Sequence, residues 1–278
     1  MTRFLYNIAP LGALIAFGSV QASAQTVGVN AAVVNDVRMT TQANPAVHKA
    51  IVKERVSLGN DIQTGKASVL QILLLDRTSF TVGGNARIKV DRFVYDPNRK
   101  ASAVGLSVAK GAFRFMSGKP LHANPGQSAI RTPIASIGIR GTIVEGAIGP
   151  DAIRIASAEA GVPAGFTADP ETASLIFLRG PGAGAQGGEQ AGAIDVTVGD
   201  ATISVAGSGN ALFVPGPGQA AIGPFVLSES GSAALADLLR NARGASSQGE
   251  SPLVSNPIVD LFFERGDRGD GQQDPVNP

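Results

Sequence analysis

Apolar and polar residues alternate with a period of two over Ala86–Val90, where Ala86, Ile88 and Val90 are separated by Arg87 and Lys89. That pattern predicts a strand with one face buried. Just before it, Val69–Leu75 is almost continuously apolar and reads as a mostly buried strand, with Asp76-Arg77-Thr78-Ser79 as a turn and Phe80–Val82 as the returning strand of a hairpin. Gly83-Gly84-Asn85 supplies positions that tolerate positive φ. Upstream, Ala31–Val37 is the first strand expected, followed by a loop through Thr40, Thr41, Asn44 and Pro45. Downstream, Asp96-Pro97-Asn98 breaks the alternation. Val104–Val108 and Gly111–Met116 then repeat the scheme as two further strands, closed by the turn Ser117-Gly118-Lys119-Pro120. In Ile130–Ile148, Ile137 and Ile139 alternate with Gly138 and Arg140, and Gly141-Thr142 leads into Ile143-Val144-Glu145. Thr132-Pro133 fits a kink at the start of that strand, because proline lacks the donor a central ladder position needs.

The pattern loosens past Gly149-Pro150, where a boundary is expected. Asp151–Ile155 and Ser174–Leu178 read as strands, and Arg179–Ala193 as a Gly/Ala-rich flexible loop. Ile194–Val198, the turn Gly199-Asp200 and Ile203–Ala206 form a second hairpin, followed by Leu212-Phe213-Val214 and the breaker Pro215-Gly216-Pro217-Gly218. Ala233–Asn241 places Leu235, Leu238 and Leu239 on one helical face, with Ser232 as N-cap and Gly244 as stop. The tail from Gly266 has Val276 as its sole apolar residue and is expected to be disordered. The fold class is therefore all-β: short antiparallel or solenoid-like strands with Gly/Pro-rich turns and at most one or two short helices. A sandwich and a solenoid both remain open, since no fixed repeat period is present.

Composition narrows the class. Of 278 residues, 44% are hydrophobic and 16% charged, too apolar for a disordered chain, and 35 Gly with 17 Pro suit many tight turns. A net charge of +1 without a dense basic stripe argues against nucleic acid. The absence of Cys removes disulfides, thiolate metal sites, cysteine nucleophiles and the cysteine of a lipoprotein anchor. At the N-terminus, Arg3, the apolar stretch Ile8–Val20 and the small residues Ala22-Ser23-Ala24 have the order of a secretory signal peptide with cleavage before Gln25. No later segment reaches the ~18 apolar residues of a membrane span. The expected organisation is a signal peptide at 1–24, a β domain at 25–149, a second β-rich region at 150–244 and a mostly flexible tail at 245–278.

Candidate chemistry is sparse. His48 and His122 are far apart and in no ligand-like spacing. Gly65-Lys66 approaches a phosphate loop, but Ala67 stands in place of the hydroxyl residue and Asn60 in place of the first glycine. Carboxylate pairs could in principle serve a glycosidase, yet the chain has no Trp and two Tyr to line sugar subsites. Arg265-Gly266-Asp267 and Arg268-Gly269-Asp270 are read as chance products of a Gly/Asp-rich tail, and Asp267, Asp270 and Asp274 lack the order of a calcium loop. The sequence points to no catalytic residue, no cofactor and no metal site, hence to a protein that is not an enzyme.

Three blocks carry a resemblance. The first holds Gly59, Ile62, Thr64, Gly65 and Asp76-Arg77-Thr78; the second Gly111, Phe113 and Phe115; the third Thr132, Pro133, Ala135, Gly138, Arg140, Gly141 and Thr142. Together, from Leu58 to Glu145, they resemble the FecR domain. Arg77 stands where that family usually has glycine, which would alter the turn but not the register. FecR proper carries a cytoplasmic anti-sigma segment and a membrane helix, whereas this chain opens on a cleavable signal, so its regulatory mechanism does not transfer. The resemblance implies an exported β domain, periplasmic or at the cell surface, that meets a protein partner. It would act as an interaction or scaffold module of the envelope, or alternatively as a sensor contacting an outer-membrane receptor. The glycines and Thr-Pro are expected to be structural. Arg140 should face away from Ile137, Ile139 and Ile143, and either ties a neighbouring strand or contacts the partner.

Overall fold

The computed structural model describes residues 25–41, 45–98, 101–118, 121, 127–180 and 192–240. Its strands form two ladders. The first, here the central sheet, contains β1 (Thr26–Val34), β4 (Arg55–Ser57), β6 (Val69–Leu74), β7 (Ser79–Val82), β12 (Ile143–Ile148), β13 (Ser174–Gly180), β16 (Asn210–Val214) and β17 (Ile222–Val226). The second, the outer sheet, contains β2 (Val37–Thr40), β3 (His48–Lys49), β5 (Asp61–Thr64), β8 (Arg87–Asp96), β10 (Ser128–Arg131), β11 (Ser136–Arg140), β14 (Ala193–Val198) and β15 (Ala201–Ala206). The 16-residue β9 (Ala101–Met116) belongs to both.

The central order is β4-β1-β6-β7-β9-β12-β13-β16-β17. The outer order is β3-β2-β5-β8-β9-β10-β11-β14-β15. Every pair is antiparallel except β9–β10, so the sheet is mixed and open at its edges. Sharing β9 makes the whole one continuous 17-stranded sheet folded over itself. Leu70, Ile72 and Phe113 from the central sheet and Ile88, Leu106 and Ile137 from the outer one lie in a single buried cluster. The two sheets therefore pack face to face as a sandwich rather than a solenoid.

Two helices, α1 (Pro150–Ala156) and α2 (Glu229–Arg240), cover the far side of the central sheet. A second cluster there joins Ala147, Leu175, Phe177 and Phe213 to Ala152, Ile155 and Leu235. Being covered on both faces, β12 is buried at all six positions. The outer sheet instead alternates: in β8, Ile88 and Val90 are buried and Arg87 and Lys89 exposed.

Several elements differ from the sequence reading. The first strand begins at Thr26 and ends at Val34, and Asn35, at φ 61, turns the chain into β2. Val104–Val108 and Gly111–Met116 are one strand bent at Gly111, which has φ 86 and lies where a Cβ would come within 2.4 Å of Ala86 Cβ. Asp151–Ile155 is helix: Pro150 opens it, Asp151 pairs with Arg154 one turn on at 2.8 Å, and Ala152, Ile155 and Ala156 share the buried face. Ala152, Ile155 and Ala156 follow the three-and-four spacing of a helix, not the alternation of the strand expected there. β17 was not foreseen. α2 starts earlier than expected because Ser228, not Ser232, caps it: the Gly231 amide donates to Ser228 Oγ at 3.0 Å, and buried Glu159 accepts from Ser228 N and Oγ at 2.8 and 2.7 Å. Residue 149 falls where the chain leaves β12 for α1, and the ladders continue across it through β12–β13 and β11–β14. The signal segment, His122, Gly244 and the tail lie outside the described residues, as does 181–191 of the Gly/Ala-rich loop.

Candidate interaction surface

The residues that carried the resemblance gather where the chain passes between sheets. At the β5–β6 crossing, Thr64 Oγ1 donates to Gly83 O at 2.6 Å and accepts from Ala86 N at 2.9 Å, while Gly65 N donates to Asp36 O. In the β6–β7 turn, fully buried Asp76 accepts from Thr78 N, Thr78 Oγ1 and Ser102 Oγ at 3.0, 2.9 and 2.6 Å. Gly118 N then donates to Thr78 Oγ1, which ties the end of β9 to the same network. Arg77 takes φ 66, the left-handed conformation that a glycine would adopt freely, and the hairpin register is intact.

Phe113 and Phe115 point into the sandwich, with Phe80 6.2 and 6.5 Å away between ring centroids. Gly146 leaves room for the Phe113 ring, which a Cβ would meet at 2.6 Å. Thr132 Oγ1 accepts from Ala135 N at 3.0 Å and so closes the β10–β11 turn beside Pro133. Gly141, at φ 57, carries the chain from β11 to β12, and Ser117 binds the Thr142 backbone on the far side at 3.0 and 3.2 Å. These side chains build corners.

Arg140 stands on the outer face of β11, opposite buried Ile137 and Ile139. Its Nη2 donates to Asp195 Oδ1 on β14 at 3.0 Å and to Ser204 Oγ on β15 at 3.1 Å, spanning three strands. Sequence reasoning singled out this residue but not its neighbours on the same face, because their proximity arises from ladder register. Arg92 of β8, Gly105 of β9, Ala129 of β10 and Gly138 of β11 form one transverse row ending at Asp195. Lys89, Ser107 and Arg131 form the adjacent row. Gly105, Ala129 and Gly138 make a shallow floor. Lys89 and Arg92 stand on β8 at one end of these rows, and Arg131 stands beside Ala129 on β10, about 10 Å from β8 across two strand spacings.

Lys89, Arg92 and Arg131 are exposed and form no ion pair among the described residues, whereas Arg87 is held by Asp61 at 2.7 Å, a contact that raises its pKa. Asp91, at the β8 bulge, accepts from Ser107 Oγ, and Asp61, opposite Lys89 on β5, is taken up by Arg87. The face is therefore cationic although the chain is nearly neutral. A groove of about 420 Å³ beside Gly111 carries Lys110, Arg154, Asp151 and Glu171, and so has no single sign of charge. His48 pairs with Glu54 at 2.7 Å, and no three His, Cys, Asp or Glu side chains among the described residues are placed to hold a metal. No described helix is long and apolar enough to cross a membrane.

The class these features define is an all-β protein of two packed sheets with one sheet face uncovered. Residues 60–162 match the family model described as FecR protein, so this stretch is a FecR domain. The match begins near the first motif and extends past Glu145 through α1. No curated protein matches the chain. Among solved structures, two crystal structures of a candidate anti-sigma factor from Parabacteroides distasonis are similar at 10% identity, with TM-scores of 0.37 and 0.36. Each alignment covers 58% of this chain, which spans 57% of theirs.

Proposed function

We propose that the protein is a non-enzymatic binding module of the bacterial envelope that docks an acidic protein surface on the outer face of its outer sheet. The observation that carries this reading is the small-residue floor of Gly105, Ala129 and Gly138 beside Lys89, Arg92 and Arg131, three exposed cations that form no ion pair among the described residues. Unpaired charges on a rigid sheet attract and orient a complementary partner at little ordering cost. The signal-like N-terminus supports export to the periplasm or cell surface. A second reading, a sensor that contacts an outer-membrane receptor, draws on the FecR domain at 60–162.

Capture from isolated envelopes tests both. The Lys89→Glu/Arg92→Glu/Arg131→Glu variant is expected to lose the partner that the wild type retains, with an unchanged melting curve. Equal recovery by both proteins would overturn the docking face. A TonB-dependent receptor as the main captured protein selects the sensor reading, and a matrix or surface-layer component selects the scaffold.

A further inference from the structure

Three of the four sheet edges are blunted. On the described residues, β3 has two residues, β4 has three, and β17 carries Pro224 at its centre with a register shift against β16. The fourth, β15, is different. It has six residues without a charge or proline, and among the described residues it pairs with β14 alone. From residue 199 to residue 210 the one charged side chain is Asp200.

The hairpin geometry says which backbone groups are free. Gly199-Asp200 is a two-residue turn with Gly199 at φ 56, so the flanking pair Val198–Ala201 is hydrogen-bonded and the pairs alternate from there. Thr197 and Thr202 are then a close, non-hydrogen-bonded pair, in agreement with their hydroxyls at 2.9 Å. It follows that the N–H and C=O of Thr202, Ser204 and Ala206 point away from β14 into solvent.

We propose that this edge pairs antiparallel with β15 of a second copy about a two-fold axis at Ser204. That register places Thr202 of each copy opposite Ala206 of the other and Ser204 opposite Ser204. All six outward backbone groups on each copy are then satisfied, and Ile203 meets Val205 on the inner side. Ile203, which is partly buried against the core, gains cover there. Asp200 falls opposite Ser208, so no like charges meet. A single strand pair buries less than the ~1,000 Å² of a stable interface, so the dimer dissociates on the order of 10–100 µM. The surface is separate from the cationic trough, and reversing those charges should leave dimerisation unchanged.

Sedimentation equilibrium of the purified full-length chain from about 1 µM to about 1 mM reads the association. Ser204→Pro removes an outward N–H without breaking the ladder to β14 and is expected to stay monomeric with a near-normal melting temperature. Because the chain has no cysteine, single substitutions report the register. Ser204→Cys places two thiols across the axis at the spacing of a hydrogen-bonded pair and should cross-link at least tenfold faster on oxidation than Thr202→Cys. A wild type that remains monomeric at the highest concentration, or equal cross-linking at the two positions, overturns the proposal.

Discussion

The two sheets of this protein share a strand and a core but differ in their second face. In the central sheet, helices α1 and α2 cover the far side, so β12, β13 and β16 are buried nearly throughout. In the outer sheet the far side meets solvent; β11 alternates throughout, and β8 alternates on either side of its bulge at Asp91. Covering a face converts each outward position into a core position, where side-chain volume governs stability. Leaving it bare frees those positions for charge and recognition. Glu145 marks the transition: fully buried on the helix-facing side of β12, it holds Arg114 at 2.6 Å and Arg179 at 3.2 Å where the helical cover gives way.

The contrast can be broken by substitution at outward positions. Phe213, fully buried beneath Phe166 at 5.1 Å, should cost about 3–5 kcal/mol on replacement by Ala in urea unfolding. Glu145→Ala should cost about 1–3 kcal/mol, because half-buried Arg114 loses a fully buried counter-charge, while exposed Arg179 is screened by solvent and adds little. A cost below about 0.5 kcal/mol, the usual ceiling for surface substitutions, at either position would show that the helix side behaves as surface.

Outer-sheet changes should be milder. Arg140→Ala removes a half-exposed pair and should lower stability by about 0.5–1 kcal/mol, with partner capture unchanged at a permissive temperature. Loss of capture with an unaltered melting curve would instead place Arg140 in the contact. Lys89→Glu, Arg92→Glu and Arg131→Glu should each stay within about 0.5 kcal/mol of wild type.

The smallest effect concerns the segment around β3, where Val47 and Ile51 are exposed and Glu54 braces both His48 and the Ile51 amide. The hydrogen bond from Glu54 raises the His48 pKa above its ordinary 6.5. Protonated His48 is thus favoured by folding, so its contribution is complete below pH 6.5 and fades as pH rises through the folded value. The stability difference between wild type and His48→Ala should shrink from about pH 5 to about pH 8. A difference that grows with pH would contradict the pairing.

Much of this was legible in the chain itself. Period-two alternation located β8 and β11, the turn residues located the β6–β7 and β14–β15 hairpins, and the spaced motifs identified the FecR domain, because each depends on neighbours close in sequence. α1 was misread since seven residues give barely two turns of periodicity, and β17 was missed because Pro224 and glycines obscure a short edge strand. The candidate surface was legible at Arg140 alone. Lys89, Arg92 and Arg131 become neighbours through the registers of β8, β9 and β10, and their outward face stays open because both described helices pack on the other sheet. Local pattern determined which segments are strands and which side of each is apolar. Which strands pair, which sheet is covered and which charges stand unpaired were decided by long-range packing, whose energy belongs to contacts that no short window of sequence contains.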